Sequence, residues 1–372
     1  MKFTVGQKEL LSKLLIVNKA VSNKNLQPLL SGIYLEANDQ NRLILRGTDM
    51  ELGIEAEISA LVEETGKVVL PSKYLVEIVR KLPPLDIDFI TEENGQIKIR
   101  YGQSEVNLNF FDGTDYPSIH DFTGECTLTL KGEDLIKAIN LTQVVVATDN
   151  TRPIFTGILL EIKEGKVNFV SSDTHRLCHT YIEKVQSTVD HWESVVPARS
   201  MKEVAFVLNE EDEVEINITG NRILFNNHHI KVVSRLIEGK FVNYEQVIPK
   251  EFSTNANISK KTFLDALERA FVLTRDEIKS KLNTVKLGIR EKVLILSSKA
   301  SEVGDIYEEL PIFLEGKEME VGFNGKYMIE ILRNIEGEEV TLRLNDAQSP
   351  GILRGTEGKE NFIYLILPVR LQ

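Results

Sequence analysis

The chain has 372 residues, of which 42% are hydrophobic and 27% are charged, and its formal net charge at pH 7 is −12. These values are typical of a folded globular protein and exclude a disordered or low-complexity chain. No apolar run reaches the roughly 18 residues that span a bilayer, and the N-terminus lacks a signal-like apolar core, so we expect a cytoplasmic protein. Cys126 and Cys178 are too few for a secreted disulfide framework and are expected to be reduced.

The first third of the chain begins with an amphipathic helix over residues 7–20. Leu10, Leu14 and Val17 recur there at steps of three and four residues, which places an apolar stripe on one helix face. The elements predicted after it are alternating strands over 31–36 and 42–45 and a second helix over 72–82.

The same order of elements returns twice, at spacings of about 125 residues. The further helices predicted by these repeats cover 132–146, 198–208, 259–275 and 325–334. A period of this length is that of a domain and not of a solenoid repeat. The sequence therefore predicts an α+β fold of three similar domains, 1–122, 123–250 and 251–372, each with two helices packed on antiparallel sheets.

Charge is distributed unevenly between the predicted elements. The six helices carry 15 Lys or Arg against 8 Asp or Glu, a net charge of +7, which leaves −19 for the remainder of the chain. A positive helical surface would attract phosphate while the sheets would repel it. Composition alone leaves open the alternative that these side chains are ordinary solvated helix faces.

Four segments together resemble one family, the bacterial sliding clamps, which are the beta subunits of DNA polymerase III. They are Gly47 to Asp49, Ser172 to Leu177, Phe241 to Pro249 and Leu367 to Leu371. The resemblance covers the full length and implies a head-to-tail homodimer in which six domains form a ring around duplex DNA, with helices lining the hole. It also implies a non-catalytic processivity factor without a cofactor, whose partners are the DNA polymerase III alpha subunit, the clamp loader and other clamp-binding proteins.

The resemblance and the charge pattern nominate DNA-facing residues. Lys24 matches a family position that touches DNA. The candidates from charge alone lie on the predicted helices: Lys73, Lys137, Arg199, Lys202, Lys260 and Arg275. Weak contacts without sequence preference suit a protein that slides along DNA.

The resemblance also places a pocket for a short linear peptide between the second and third domains. The residues carried over to its wall are Arg152, Phe155, Thr174, His175, Arg176, Leu177, Val242, Val247, Pro350, Leu365, Leu367, Pro368, Val369 and Arg370. We expect the apolar members to hold aliphatic and aromatic anchors, and His175, Arg176 and Arg370 to form a polar rim. The alternative for residues 365–368 is a last core strand. Thr174, Pro153-Ile154 and Gln246 depart from common family residues and leave the peptide preference open.

A dimer seam follows from the same resemblance. It sets Val106 and Leu108 of one chain against Val272 and Leu273 of the other. Opposite charges on the two strands support this contact: Lys98 and Arg100 on one side, and Glu302, Asp305 and Glu308 on the other. The alternative is ordinary edge-strand charge, which discourages pairing.

Other classes of function remain as alternatives. Asp173 near His175 invites an acid–base interpretation, but Asp49 occupies the matching place in the first repeat, so a turn is favoured. His175 and His179 would lie about 13 Å apart on a strand, which disfavours a shared metal ion. No phosphate-binding glycine loop, nucleophile elbow or zinc-binding helix motif is present. A recruitment scaffold that never encircles DNA remains the non-enzymatic alternative.

Overall fold

The computed structural model describes residues 1–22, 27–119, 122, 124–274, 283–300, 304–356 and 361–371. These residues contain six α-helices: α1 Gln7–Val17, α2 Ser72–Lys81, α3 Gly132–Thr142, α4 Ala198–Val207, α5 Lys260–Thr274 and α6 Gly325–Leu332. Short 3-10 helices occupy Asn18–Ala20, Pro28–Ser31, Gln143–Val145, Pro153–Thr156 and Tyr244–Gln246. All six predicted helices are confirmed.

The strands of the first third are β1 Lys2–Gly6, β2 Gly32–Ala37, β3 Arg42–Thr48, β4 Leu52–Ser59, β5 Leu61–Glu64, β6 Gly66–Pro71, β7 Asp86–Thr91, β8 Gln96–Tyr101, β9 Ser104–Asn109 and β10 Phe111–Asp112. Those of the middle third are β11 Cys126–Lys131, β12 Gly157–Lys163, β13 Lys166–Ser172, β14 Arg176–Ile182, β15 His191–Pro197, β16 Glu213–Ile218, β17 Arg222–Asn226 and β18 Ile230–Arg235. The last third has β19 Thr254–Ser259, β20 Thr284–Ile289, β21 Val293–Ala300, β22 Gly304–Gly316, β23 Met319–Asn324, β24 Glu339–Leu344, β25 Gly351–Gly355 and β26 Phe362–Ile366.

Each third repeats one order of elements: a strand, a helix, a run of strands, a second helix and a final run of strands. The predicted antiparallel arrangement is confirmed, because neighbouring strands such as β2 and β3, β12 and β13, and β20 and β21 all pair antiparallel. The tight turns use residues with positive φ, for example Gly95 at +79° between β7 and β8. Glycine adopts this conformation without the steric cost that a side chain would add.

The chain packs into two compact units. The first comprises 1–135, 186–189 and 203–236, and the second comprises 136–185, 190–202 and 237–372. The first unit holds a five-stranded sheet, ordered β5-β1-β7-β8-β9, and a nine-stranded sheet, ordered β10-β6-β2-β3-β4-β18-β17-β16-β11. The second unit holds a twelve-stranded sheet, ordered β15-β12-β13-β14-β26-β25-β24-β19-β22-β21-β20-β23.

Helices pack on these sheets through their apolar stripes. In the first unit, Leu10, Leu14 and Val17 of α1 are completely buried, as the period predicted. In the second unit, Phe263 and Leu267 of α5 join a large apolar core under β20 to β24. Cys126 and Cys178 are buried free thiols, and burial raises the pKa of both. Every helix in the described ranges is too short or too polar to cross a membrane.

Candidate functional site

The tight turn between β13 and β14 carries Thr174 and His175 of the candidate peptide site. The Asp173 carboxylate accepts hydrogen bonds from the backbone N–H groups of His175 and Arg176, each at 3.0 Å. Thr174, which lies between Asp173 and His175, has a φ of +75°. Through these bonds the Asp173 carboxylate stabilises the turn, which supports a turn-forming role for Asp173 over acid–base chemistry.

Arg176 is the first residue of β14, and its side chain is only 7% exposed. Its Nε lies 2.9 Å from Asp173 Oδ2, and its Nη1 lies 2.7 Å from Glu330 Oε2 on α6. The guanidinium also stacks over the Tyr327 ring at 4.2 Å. The expectation that Arg176 forms part of a polar rim was therefore wrong, because the turn and α6 enclose its charge.

Apolar residues of the predicted pocket form one buried cluster. Phe155, Leu177 and Leu365 are each at most 5% exposed and pack together with Phe241 and Tyr244. Leu177 and Leu365 are register partners on β14 and β26, so the core-strand alternative holds for Leu365. The exposed apolar members of the predicted pocket are Val242, Val247 and Leu367.

A cavity of about 720 Å³ lies beside the C-terminal tail. It is lined by Glu320, Val321, Gly322, Ala347, Gln348, Leu367, Pro368, Val369, Arg370 and Leu371. Four of these, Leu367 to Arg370, belong to the predicted pocket. Its volume lies in the range of small-ligand and short-peptide sites.

Sequence reasoning missed the wall opposite the tail, Glu320 to Gly322 with Ala347 and Gln348. The tail reaches this wall through a bridge in which the Val369 N–H donates to the Gly322 carbonyl at 2.8 Å. A Cβ at Gly322 would lie 2.8 Å from the Val369 carbonyl oxygen, so glycine permits this approach. The only sequence signal was that glycine, which does not by itself predict its partner.

The remaining pocket candidates are mostly exposed, and the tail is bonded to the turn that holds two of them. Arg152, Thr174, His175 and Arg370 are exposed, and Pro350 is half-buried. The Leu367 N–H donates to the His175 carbonyl at 2.9 Å, which ties the tail to the turn. The turn, the tail and the cavity are thus joined by backbone hydrogen bonds within the second unit.

The candidate DNA-facing residues differ in how exposed they are. Lys73, Arg199 and Lys202 are exposed on their helices, and the exposed Lys137 pairs with Glu336 at 3.0 Å. Lys260 departs from the expectation: it is half-buried and donates to the Ile335 carbonyl at 2.7 Å. Lys24 and Arg275 lie outside the described residues. Sequence reasoning missed Phe206 of α4, an exposed ring with the Lys19 ammonium 4.5 Å from its centroid.

The candidate seam residues lie on sheet edges and a helix end. Val106 and Leu108 are half-buried on β9, the last strand of the five-stranded sheet. In the second unit, residues 304–311 of β22 pair with β21 on one side only within the described chain. Val272 of α5 is exposed, Leu273 is half-buried and Asp305 is exposed, while Glu302 falls outside the described residues.

Three of the charges expected to pair across the seam, Lys98, Arg100 and Glu308, have partners within their own units. Lys98 lies 2.8 Å from Glu92, and Arg100 lies 4.0 Å from Glu105. On the other strand, Glu308 pairs with Arg269 at 2.6 Å. Because these charges are already balanced locally, apolar contact and strand pairing are the stronger basis for a seam than charge.

Metal binding has no support in the described part of the chain, which contains no group of three or more potential His, Cys, Asp or Glu ligands. His175 belongs to the turn that precedes β14, whereas His179 lies within β14. The His179 Nε2 lies 2.9 Å from Asn168 Oδ1, and burial lowers its pKa to about 4.

These features define a sheet-rich, helix-on-sheet protein of three sequence repeats with a ligand-sized cavity formed by its C-terminal tail. Residues 1–120, 129–243 and 245–370 match the family descriptions of the N-terminal, central and C-terminal domains of the DNA polymerase III beta subunit. The beta sliding clamp of Staphylococcus aureus is 30% identical over 346 residues, which cover 90% of each chain.

Solved structures agree with this assignment. The DNA polymerase sliding clamp of Bacillus subtilis superposes with a TM-score of 0.93 at 29% identity, and the polymerase beta subunit of Streptococcus pyogenes with 0.94 at 28%, each covering 100% of both chains. The chain belongs to the DNA polymerase III beta subunit family, the bacterial sliding clamps. This family is the non-catalytic processivity factor of the polymerase, so the function is that of a DNA sliding clamp, and neither the enzyme nor the DNA-free scaffold is favoured.

Proposed function

We propose that two copies of this chain associate head to tail into a closed ring that encircles duplex DNA in the cytoplasm. The ring would consist of six domains, three from each chain with boundaries at residues 1–122, 123–250 and 251–372. The observation that carries this proposal is the segregation of charge, because the six α-helices carry 12 Lys or Arg against 8 Asp or Glu, a net charge of +4, in a chain of net charge −12. A helical inner wall would attract DNA while the outer sheets repel it.

The proposed seam joins two different surfaces. The edge strand β9, with Val106 and Leu108, would meet the open side of residues 304–311 of β22. Val272 and Leu273 would supply apolar contact beside this strand pair. Such a heterologous contact closes into a ring only when the rotation at each seam is right, and six similar domains would meet that condition.

Partners would bind at the cavity formed by the tail. We assign to it the clamp-binding peptides of the DNA polymerase III alpha subunit, the clamp loader and other clamp-binding proteins. Leu367 lines this cavity, and the exposed Val242 and Val247 belong with it to the pocket predicted from the resemblance. All three side chains suit aliphatic and aromatic anchors. The structure of the Pseudomonas aeruginosa sliding clamp, 26% identical with a TM-score of 0.93, is of a complex with griselimycin. We propose that this chain binds griselimycin at the cavity beside its C-terminal tail.

The proposal is tested by primer extension on a long single-stranded template with the alpha subunit and clamp loader of the same organism. The chain should lengthen the products made in one binding event, and griselimycin should abolish that effect. Val272→Asp should weaken the dimer, which light scattering would detect as monomer. Product lengths that do not change on adding the chain would overturn the proposed function.

A further inference from the structure

Tyr244 joins residues 241–247, which carry the pocket candidates Val242 and Val247, to strand β12. It opens the 3-10 helix Tyr244–Gln246 and is flanked by the exposed pocket candidates Val242 and Val247. Tyr244 itself is only 5% exposed, and its hydroxyl donates a hydrogen bond to Glu161 Oε2 on β12 at 2.5 Å. A side chain that points inward thus holds two neighbours that point outward.

Polar and aromatic groups surround this hydrogen bond. The His179 ring lies 5.1 Å from the Tyr244 ring and 5.9 Å from the Tyr181 ring. The next residue, Glu245, pairs with Lys163 of β12 at 2.6 Å. Burial, and then the hydrogen bond to the Glu161 carboxylate, raise the pKa of Tyr244, so its hydroxyl keeps its proton and remains a donor at neutral pH.

The segment is also continuous with the buried floor of the proposed pocket. Tyr244 packs in one apolar cluster with Phe155, Leu177 and Leu365. The Val247 N–H donates to the Tyr244 carbonyl at 3.2 Å, so the position of Tyr244 fixes where Val247 lies. A shift of Tyr244 would therefore move Val247 and loosen the buried apolar cluster at the same time.

The first repeat offers a similar tyrosine-to-glutamate hydrogen bond whose two residues are not candidates for the peptide pocket. The Tyr34 hydroxyl donates to Glu36 at 2.8 Å, and the Tyr34 ring stacks with Tyr116 at 5.4 Å. This pair has the same donor and acceptor chemistry but lies in the first unit, where it packs with Leu30 and Val69. It serves as a matched control for the loss of a tyrosine hydroxyl.

We propose that the hydrogen bond from Tyr244 to Glu161 positions residues 241–247 and thereby sets the affinity of the predicted peptide pocket, to which Val242 and Val247 belong, for its ligands. Tyr244 and Glu161 are positioning residues, because neither is itself a pocket candidate. This inference rests on the peptide-binding role proposed above. Without the bond, residues 241–247 would occupy several positions. The ligand would bind only one of these positions, which weakens its apparent affinity.

The test measures griselimycin binding by isothermal titration calorimetry on the full-length chain. Tyr244→Phe removes only the hydroxyl and should weaken binding about tenfold, the scale of one hydrogen bond to a charged acceptor. Glu161→Gln keeps an oxygen acceptor and should bind within about twofold of the parent, whereas Glu161→Ala should match Tyr244→Phe. The double variant Tyr244→Phe with Glu161→Ala should lose no more than either single variant, because the two groups act through one bond.

The control is Tyr34→Phe, which should lower the melting temperature about as much as Tyr244→Phe but leave griselimycin binding unchanged. Amide hydrogen exchange over residues 241–249 should rise in Tyr244→Phe and not in Tyr34→Phe. If Tyr244→Phe does not fold, Glu161→Ala reports on the same bond. Parental affinity in the variants would overturn the inference alone, whereas absence of binding by the parent chain would overturn the proposed pocket as well.

Discussion

Asp49 and Asp173 occupy the same place in two matching turns, one in each of the first two repeats. Asp49 Oδ1 accepts from the N–H groups two and three residues ahead at 3.1 and 2.9 Å, and Asp173 Oδ1 does the same at 3.0 and 3.0 Å. The residue that follows each aspartate has a positive φ, +78° at Met50 and +75° at Thr174. The repeated geometry identifies both carboxylates as turn-forming groups.

Replacement of either aspartate should therefore cost stability. We expect Asp49→Ala to lower the free energy of unfolding by about 1 kcal/mol, the usual worth of such hydrogen bonds. Asp173→Ala should cost more, because it also removes the partner 2.9 Å from Arg176 Nε. Urea denaturation of the two variants would measure the difference. Equal losses would contradict the assigned role of the Arg176 contact.

Arg176 should be among the residues most sensitive to replacement. Arg176→Met leaves the carboxylates of Asp173 and Glu330 without their buried partner, and we expect a loss of about 3 kcal/mol in chemical denaturation. Arg176→Lys should recover little of this loss, since an ammonium cannot reproduce the planar stacking on Tyr327.

The control for Arg176 is Arg333→Met. Arg333 also pairs with a glutamate, Glu268 at 2.7 Å, but its side chain is 59% exposed. Exposed pairs contribute about 0.2 to 1 kcal/mol, so this variant should be nearly as stable as the parent. A similar loss in both variants would show that burial of Arg176 adds nothing.

His179 predicts a specific dependence of stability on pH. Its pKa is lowered from 6.5 to about 4 in the folded chain, chiefly by burial. The groups around it are Glu245, whose charge opposes this shift, Lys166, whose charge favours it, and the rings of Tyr181 and Tyr244. Between pH 6.5 and 4 the unfolded chain binds a proton that the folded chain does not, so stability is complete above pH 6.5 and falls as the pH decreases.

The loss attributable to His179 should reach about 3 kcal/mol at pH 4. Denaturation of the parent and of His179→Phe at several pH values measures it, because both chains carry the same carboxylates. The substitution would also change the titration of Glu245, whose pKa the His179 charge lowers. The parent should lose more stability than the variant between pH 6.5 and 4. Parallel pH profiles would contradict the assignment of a buried, neutral His179.

Local periodicity predicted the elements well, and pairing over long sequence distances limited the site prediction. The stripe of Leu10, Leu14 and Val17 placed α1 correctly, because the helix period is a property of neighbouring residues. Arg176 was assigned to a rim because nothing near it in sequence indicates Glu330. The cavity wall at Gly322 was missed for the same reason, since its partner Val369 lies on the tail.

We expect substitutions of the helix lysines to have two kinds of effect, on residence on DNA for the exposed ones and on stability for Lys260. Lys73→Glu and Lys202→Glu exchange exposed charges, and each should shorten residence on DNA and reduce the slope of log residence time against log salt by about one phosphate contact. Lys260→Met should instead reduce stability, because its ammonium donates to the Ile335 carbonyl. Single-molecule residence times over a range of salt concentrations, with melting temperatures, would distinguish them. A normal melting temperature with a reduced salt slope for Lys260→Met would contradict its structural assignment.

Topological linkage to DNA is tested most directly by retention on circular DNA before and after it is cut. The chain is loaded onto a nicked circular plasmid by the clamp loader of the same organism with ATP, and bound protein is measured before and after linearisation at moderate salt. We predict that the protein remains on the circle and is lost once the ends are free, because a ring is held by topology and only weakly by phosphate contacts. Retention on the linear molecule would contradict topological linkage, since it would mean that ordinary affinity holds the protein on DNA.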